Sequence, residues 1–237
     1  KQLFMSGLFN SSIGRKLVMS ITGVCLVLFL TFHMCMNLVA VFSAEGYNMV
    51  CEFLGANWYA VVATVILAAG FLIHIVYAFI LTMRNKAARG NSSYAVTAKP
   101  AGVEWASQNM LVLGLIVLAG LVLHGAQFWY KMMFAELMGA HEVMVCGAAK
   151  AISCTDGAGF IAFYFSHLWV VIAYVVWLAA LWFHLNHGFW SALHTLGWNN
   201  LVWIERLKKI SVVYSTIICL GFALVVVGYY FGLFPLM

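Results

Sequence analysis

The sequence predicts an all-α integral membrane protein with five transmembrane helices. Three observations carry this. Of 237 residues, 65% are hydrophobic and only 8% are charged, against about 25% charged in an ordinary water-soluble domain. Five uncharged windows are each long enough to cross a hydrocarbon layer about 30 Å thick, which takes roughly 20 apolar residues as a helix. Leu, Val, Ala, Ile and Phe fill these windows without barrel-strand alternation, and proline is absent from all of them. A segment in lipid must close its own backbone hydrogen bonds, which leaves the helix as the only fitting element. Twelve Lys and Arg with seven Asp and Glu are too few to clothe a water-facing surface. The composition therefore excludes a soluble enzyme, a disordered chain and the usual kind of nucleic-acid binder.

The five windows span 17–42, 58–83, 105–130, 160–190 and 210–234. The first is too long for a cleaved signal peptide and reads as a permanent span. Its flank carries Lys1, Arg15 and Lys16. The connection between the second and third carries Arg84, Lys86, Arg89 and Lys99, and that between the fourth and fifth carries Arg206, Lys208 and Lys209. The opposite connections hold only Lys131 and Lys150, beside Glu45, Glu52, Glu136, Glu142 and Asp156. The positive-inside rule places the N-terminus in the cytoplasm and the C-terminus outside. Tryptophans at 58, 105, 129, 190, 198 and 203 fall near span ends, where interfacial anchors belong. The 131–159 segment is expected to be an ordered external loop, with room for a short helix. Six cysteines show no CxxC or zinc-type spacing, so neither a covalent c-type haem nor a zinc site is expected; Cys146 and Cys154 are potential partners within the loop.

Histidine carries the functional signal. The spans contain no ionisable acid or base except histidine, and ionisable groups at bilayer depth need a reason. Spans one to four hold His33, His74, His124 and His184, whereas span five holds none. A Glu-based proton relay is thereby excluded, and neutral imidazoles point to ligation of iron or another metal. At 1.5 Å per residue, His33 and His124 lie roughly 25–28 Å from the cytoplasmic edge, and His74 and His184 roughly 15–20 Å from it. The depths sort into an outer pair, His33 with His124, and an inner pair, His74 with His184. Two haems, each held between imidazoles of two helices, fit a haem-binding four-helix bundle with a fifth helix beside it. His187 is one turn beyond His184 and stands as an alternative ligand or a haem-propionate partner. His141 lies in the loop, His167 near the outer end of span four, and His194 near the cytoplasmic boundary.

The local motifs carry a resemblance. Ser11-Ser12-Ile13-Gly14-Arg15-Lys16, then Thr22-Gly23, then His33-Met34-Cys35-Met36-Asn37-Leu38 resemble the first helix of the five-helix, dihaem cytochrome b subunits of succinate:quinone oxidoreductases and quinol:fumarate reductases. Phe183-His184-Leu185-Asn186-His187-Gly188-Phe189-Trp190-Ser191 is similar to the fourth-helix motif of that family, and His74-Ile75-Val76-Tyr77 and His124 fall where its other ligands fall. The likeness covers essentially the whole chain. It implies two haem b groups, a distal one on His33 and His124 and a proximal one on His74 and His184. It favours His184 over His187 as the span-four ligand. Some dihaem members carry a carboxylate two residues before this ligand, where this chain has Trp182, which leaves a proton route through that group without its carrier.

The resemblance further implies a quinone/quinol substrate, with menaquinone the expected type, near the distal haem and beside an acid in the first connection. Glu52 is the best match and Glu45 the second; a carboxylate at the membrane edge can take a proton as quinol is oxidised. Arg15, Lys16, Arg84, His187 and Trp190 are candidates for haem-propionate or neighbouring contacts, although the cations also serve as topology signals. Gly23, Gly70, Gly114, Gly120, Gly125 and Gly188 allow close approach of either a macrocycle or a neighbouring helix. The implied partners are an iron–sulfur subunit, a flavoprotein subunit, membrane lipid and quinone, in a bacterial cytoplasmic membrane, and a dimer of complexes is compatible with such an anchor. No dinucleotide fingerprint or iron–sulfur cysteine spacing occurs, so dicarboxylate chemistry is expected elsewhere. A dihaem cytochrome b of a hydrogenase or formate dehydrogenase, and a haem-free transporter or scaffold, are the alternatives.

Overall fold

The computed structural model of the chain describes residues 11–89 and 105–234. The topology signals at Lys1 and Lys99 fall outside the described residues. Five helices are long and apolar enough to cross a membrane, over 12–42, 58–88, 110–137, 168–195 and 201–230. The protein is a multi-pass membrane protein, as its composition requires. The helix ends bearing Arg15, Arg84 and Arg206 form a basic end, and the connections holding Glu45, Glu136 and Asp156 form an acidic end.

Helix α1 (Ser12–Phe42) starts where the Ser11 side chain accepts a hydrogen bond from the Gly14 amide at 2.9 Å. It stops at Ser43, whose extended backbone breaks the run and whose hydroxyl accepts from the Gly46 amide at 2.9 Å. Ser43 thus also caps the short α2 (Ala44–Phe53), which leads into α3 (Trp58–Arg89). One turn, α4 (Trp105–Gln108), is separated at Asn109 from α5 (Met110–His124). Beyond His124 the helix widens into a π-helical segment, Gly125–Phe134, and closes with α6 (Ala135–Leu137). The third span therefore ends seven residues past the expected Tyr130, at Leu137. A two-stranded hairpin follows, β1 (Glu142–Val143) against β2 (Ile152–Ser153). Then come α7 (Gly157–Phe165), α8 (Leu168–Thr195) and α9 (Leu201–Tyr230).

The fourth window is where pattern and structure part. The sequence reads 160–190 as one span, whereas the chain breaks at Ser166 and His167. Both side chains compete for the last turn of α7: the Ser166 hydroxyl donates to the Phe163 carbonyl at 2.7 Å and His167 Nδ1 to the same oxygen at 2.8 Å. Two polar residues in an otherwise apolar run do not by themselves report such a break. The fifth span starts at Leu201, nine residues before the expected 210, because the Asn200 side chain caps it at the Trp203 amide, 2.8 Å away. All six cysteines are unpaired. The proposed partners Cys146 and Cys154 differ in environment: Cys146 is exposed, whereas Cys154 is buried with its thiol 3.5 Å from the Ala140 carbonyl.

Packing is uneven. At the acidic end, Phe160, Ile161, Val170, Val171, Val225 and Val226 join α7, α8 and α9 in one core. Midway, Met34 of α1 meets Leu178, Leu181, Leu185, Ile218 and Cys219. In α3 only Ala60 is buried among the described side chains. Lipid tails are as apolar as leucine, so a membrane helix gains little by burying its leucines and is held by polar and close contacts instead. Two such contacts fix the frame. The Tyr229 hydroxyl donates to the Ala40 carbonyl at 3.0 Å, tying α9 to α1. Trp177 donates through Nε1 to the Val117 carbonyl at 2.9 Å, tying α8 to α5, with its indole laid where a Cβ on Gly120 would overlap it. Gly120 thus serves helix packing.

Two outcomes follow from this packing. Gly120→Val displaces Trp177 and is expected to cost about 1–3 kcal/mol, seen as a lower thermal midpoint of the purified protein in detergent; an unchanged midpoint contradicts the contact. Cys51 of α2, packed against Gly157 at the start of α7, has its thiol pushed up by burial from 9.0 to about 11, and burial also raises the Tyr47 phenol beside it. A raised folded-state value means stability that is fully present below pH 9 and is lost as pH rises through 11. Melting curves from pH 8 upward should show that decline, with a shallower one in Cys51→Ala.

Candidate functional site

Four helices bring the four span histidines together in two pairs. His33 of α1 faces His124 of α5, with ring centres 5.8 Å apart and planes at 80°. His74 of α3 faces His184 of α8, with centres 6.4 Å apart and planes at 67°. The pairing follows the depth sorting. Tyr174 of α8 reaches His124, and His184 lies ten residues further along the same helix, a rise of about 15 Å. Thr22 of α1 reaches His74, and His33 lies eleven residues further, a rise of about 16 Å. Two independent helices thus give the same separation between levels.

The pairs differ in their surroundings. Around the outer pair, Phe29 stacks on His33 at 5.4 Å, and Phe128 and Trp177 lie 5.1 and 5.8 Å from His124. Asn37 donates to the His33 carbonyl at 2.8 Å and has its amide nitrogen 3.4 Å from Nε2 of the same residue. The Tyr47 hydroxyl donates in turn to Asn37 Oδ1 at 3.1 Å, tying α2 to this level. On the other side, the Tyr174 hydroxyl stands 3.4 Å from His124 Nδ1 and donates to the buried Gln127 at 2.8 Å. At the inner pair the Thr22 hydroxyl donates to the Val18 carbonyl at 2.9 Å, which leaves its oxygen to accept from His74 Nδ1 at 3.2 Å. His184 Nδ1 is buried without a hydrogen-bond partner. Small residues line this level: a Cβ on Gly23 would sit 3.5 Å from His74, and one on Gly114 3.8 Å from His184.

These residues fit a metal held by axial imidazoles. Two imidazoles gripping one metal from opposite sides, each through a nitrogen about 2.0 Å away, need ring centres roughly 6.3 Å apart. Both pairs lie within about half an ångström of that separation. No group of three or more His, Cys, Asp or Glu side chains able to hold a metal ion occurs among the described residues. Each level thus offers two imidazoles, His33 with His124 and His74 with His184. The buried His184 Nδ1, without a hydrogen-bond partner, carries a burial cost of about 1–3 kcal/mol.

The remaining candidates are dispersed. Glu45 and Glu52 are both exposed on α2. Beside them a recess of about 360 Å³ opens between α1 and α2, lined by Phe32, Met36, Gly46, Met49, Val50 and Phe53. Its α1 wall flanks His33 in sequence. Two other loop acids take structural contacts: Glu136 accepts from the Ala56 amide at 3.0 Å and pins the turn between α2 and α3, and Asp156 caps α7 by accepting from the Gly159 amide at 2.9 Å. At the basic end Arg15 is buried, whereas Lys16 and Arg84 are exposed. The His187 ring meets the Trp190 indole edge-on at 5.1 Å, and Trp190 also carries the Lys208 ammonium 5.4 Å from its ring centre. Trp182 donates through Nε1 to Thr216 Oγ1 at 3.0 Å, so it joins α8 to α9.

Tyr47, Gln127 and Tyr174 lie outside every motif of the sequence, and Asn37 stands there only as a member of the first-helix motif. Gln127 had a signal of its own, as a polar side chain deep in an apolar window, but its partner across the bundle had none. No protein-family model, curated protein or solved structure matches this chain.

Removing the unpartnered nitrogen should relieve its cost. In protein freed of any bound cofactor, His184→Leu is expected to raise thermal stability by about 1–3 kcal/mol, whereas His74→Leu forfeits the Thr22 bond and shows no such gain. A destabilised His184→Leu would mean that the nitrogen has a partner.

Proposed function

We propose that this chain is the membrane-anchor dihaem cytochrome b subunit of a succinate dehydrogenase/fumarate reductase complex, passing electrons between a membrane quinone or quinol and an iron–sulfur subunit. The observation that carries the reading is the two facing imidazole pairs, drawn from four helices and set at two levels of a lipid-embedded bundle. His33 and His124 would hold the outer haem b, and His74 and His184 the inner one. A haem held by two imidazoles would supply reversible one-electron transfer.

The chain's own residues would do the rest. Thr22 fixes the His74 ring from α1, and Gly23 and Gly114 keep the inner level open to a flat group. Phe29, Phe128 and Trp177 wall the outer level against water. The recess between α1 and α2 would take the apolar ring and tail of a quinol such as menaquinone, with Glu52 or Glu45 receiving the proton at the membrane edge. Arg15, Lys16 and Arg84, with His187 and Trp190, would meet propionates or partner subunits at the basic end. That end would face the cytoplasm, where the iron–sulfur and flavoprotein subunits dock and dicarboxylate chemistry takes place. The membrane would be the bacterial cytoplasmic membrane, with the N-terminus inside.

The test is a reduced-minus-oxidised spectrum and a haem count on the complex purified from native membranes. Two b-type haems per chain are expected, with a flavoprotein co-purifying. An absence of b-type bands would leave a haem-free transporter or scaffold, and a hydrogenase or formate dehydrogenase partner would reassign the complex. His74 and His184 variants should each lose the inner haem alone, and His33 and His124 variants the outer one; two haems retained in these variants would overturn the assignment. Orientation has its own readout. Cys146 is exposed at the acidic end, whereas Cys51 is half-buried with a thiol pushed up to about 11. A membrane-impermeant maleimide applied outside intact cells should label Cys146, and labelling only after lysis would invert the topology.

A further inference from the structure

The outer level contains a polar pair that the fold does not require. Tyr174 and Gln127 are 4% and 6% exposed, at bilayer depth, where an apolar pair would cost less. Tyr174 is clamped edge-on between Phe165, at 5.0 Å, and Trp177, at 5.5 Å. Its ring therefore has one setting, and its hydroxyl reaches two groups: Gln127 Oε1 at 2.8 Å and His124 Nδ1 at 3.4 Å.

Resting on the reading of His33 and His124 as one site, we propose that Tyr174 and Gln127 form a positioning unit that fixes the proton of His124 on Nδ1 and leaves Nε2 as its lone-pair nitrogen. A tyrosine hydroxyl has a single proton to give. The shorter bond assigns that proton to Gln127 Oε1, a carbonyl oxygen that can only accept. The phenol oxygen then offers His124 nothing but a lone pair, and only an Nδ1–H can use it. Gln127 acts at one remove: it directs the hydroxyl, and the hydroxyl directs the imidazole. A bond donated by the far nitrogen of a ligand imidazole fixes ring orientation and makes the near nitrogen a stronger donor. The inner level uses the same logic at His74 with Thr22, whereas His184 has no such support. The two levels are thereby unequal, with the outer one receiving the buried phenol.

The test uses the purified protein with histidine labelled in nitrogen-15, reduced with dithionite, and His124 assigned by the resonance lost in His124→Gln. A hydrogen-bonded Nδ1–H is expected for His124 in the wild type. Tyr174→Phe keeps the clamped ring but removes the acceptor, and should shift or broaden that resonance. Gln127→Leu should do the same by freeing the hydroxyl proton, and Gln127→Glu, which keeps an acceptor, should restore the wild-type signal. The second readout is a redox titration. Losing the bond weakens donation to the metal, so the outer haem in Tyr174→Phe should become easier to reduce. A three- to tenfold change in its oxidised-to-reduced ratio at fixed potential is expected, tenfold being about 59 mV for one electron, with the inner haem unmoved. A proton on Nε2 in the wild type, or a Tyr174→Phe spectrum identical to wild type, overturns the inference. Absence of haem would defeat the proposed function instead, and the nitrogen spectrum would still decide the tautomer.

Discussion

An imidazole in hydrocarbon must have a partner, and that requirement organises this molecule. Four helices each carry at least one such ring into the bilayer, and the fold turns His33 toward His124 and His74 toward His184. Both pairs are made of imidazoles alone, and the rings meet edge to face at 5.8 and 6.4 Å. Partner residues follow the same requirement: a threonine whose proton is already committed, a tyrosine committed to a glutamine, and an asparagine held by its own backbone. Among the described residues, His184 is the paired ring whose buried Nδ1 has no hydrogen-bond partner. A protein selected for stability alone would have put a leucine there.

The division of labour among the helices follows from lipid as solvent. α8 and α9, with α7, carry most of the dense packing, and α3 contributes almost none. In water such a helix would detach, since burial is what holds an amphipathic helix. In a bilayer it gains nothing by burying leucine, so it can stand with its histidine face inward and the rest in lipid. The frame is then set by a few polar ties, Tyr229 to Ala40 and Trp177 to Val117 among them, and by one glycine that admits an indole. The short α2 serves both frame and site: one face borders the recess against α1, and Tyr47 on another face reaches Asn37 beside His33.

The departures from the sequence pattern have local causes. Residues 160–190 read as a single span because every position near the break is apolar except Ser166 and His167. It takes knowledge of where those two side chains turn to see that they compete for Phe163's carbonyl. The π-helical widening after His124 leaves the apolar pattern unchanged and is silent in composition. The separation of Cys146 from Cys154 is likewise a matter of which side of a hairpin faces the core. Glu136 is one loop acid among several in the sequence, and only the fold closes the turn at Ala56 on it.

Sequence alone determined the solvent and the count. A chain so poor in charge can only live in lipid, its windows can only be helices, and their number is five. Helical rise, a property of the backbone, also sorted the histidines by depth before any fold was known. Tertiary structure decided what depth cannot: that rings at the same level face each other at 5.8 and 6.4 Å rather than pointing into lipid. It likewise decided that Tyr174 and Gln127 stand behind one ring while His184 stands alone. The reason is rotational. Position along a helix axis is written in residue number, but the azimuth of a side chain toward its neighbour depends on how helices pack, kink and widen, and in a uniformly apolar segment no residue pattern records it.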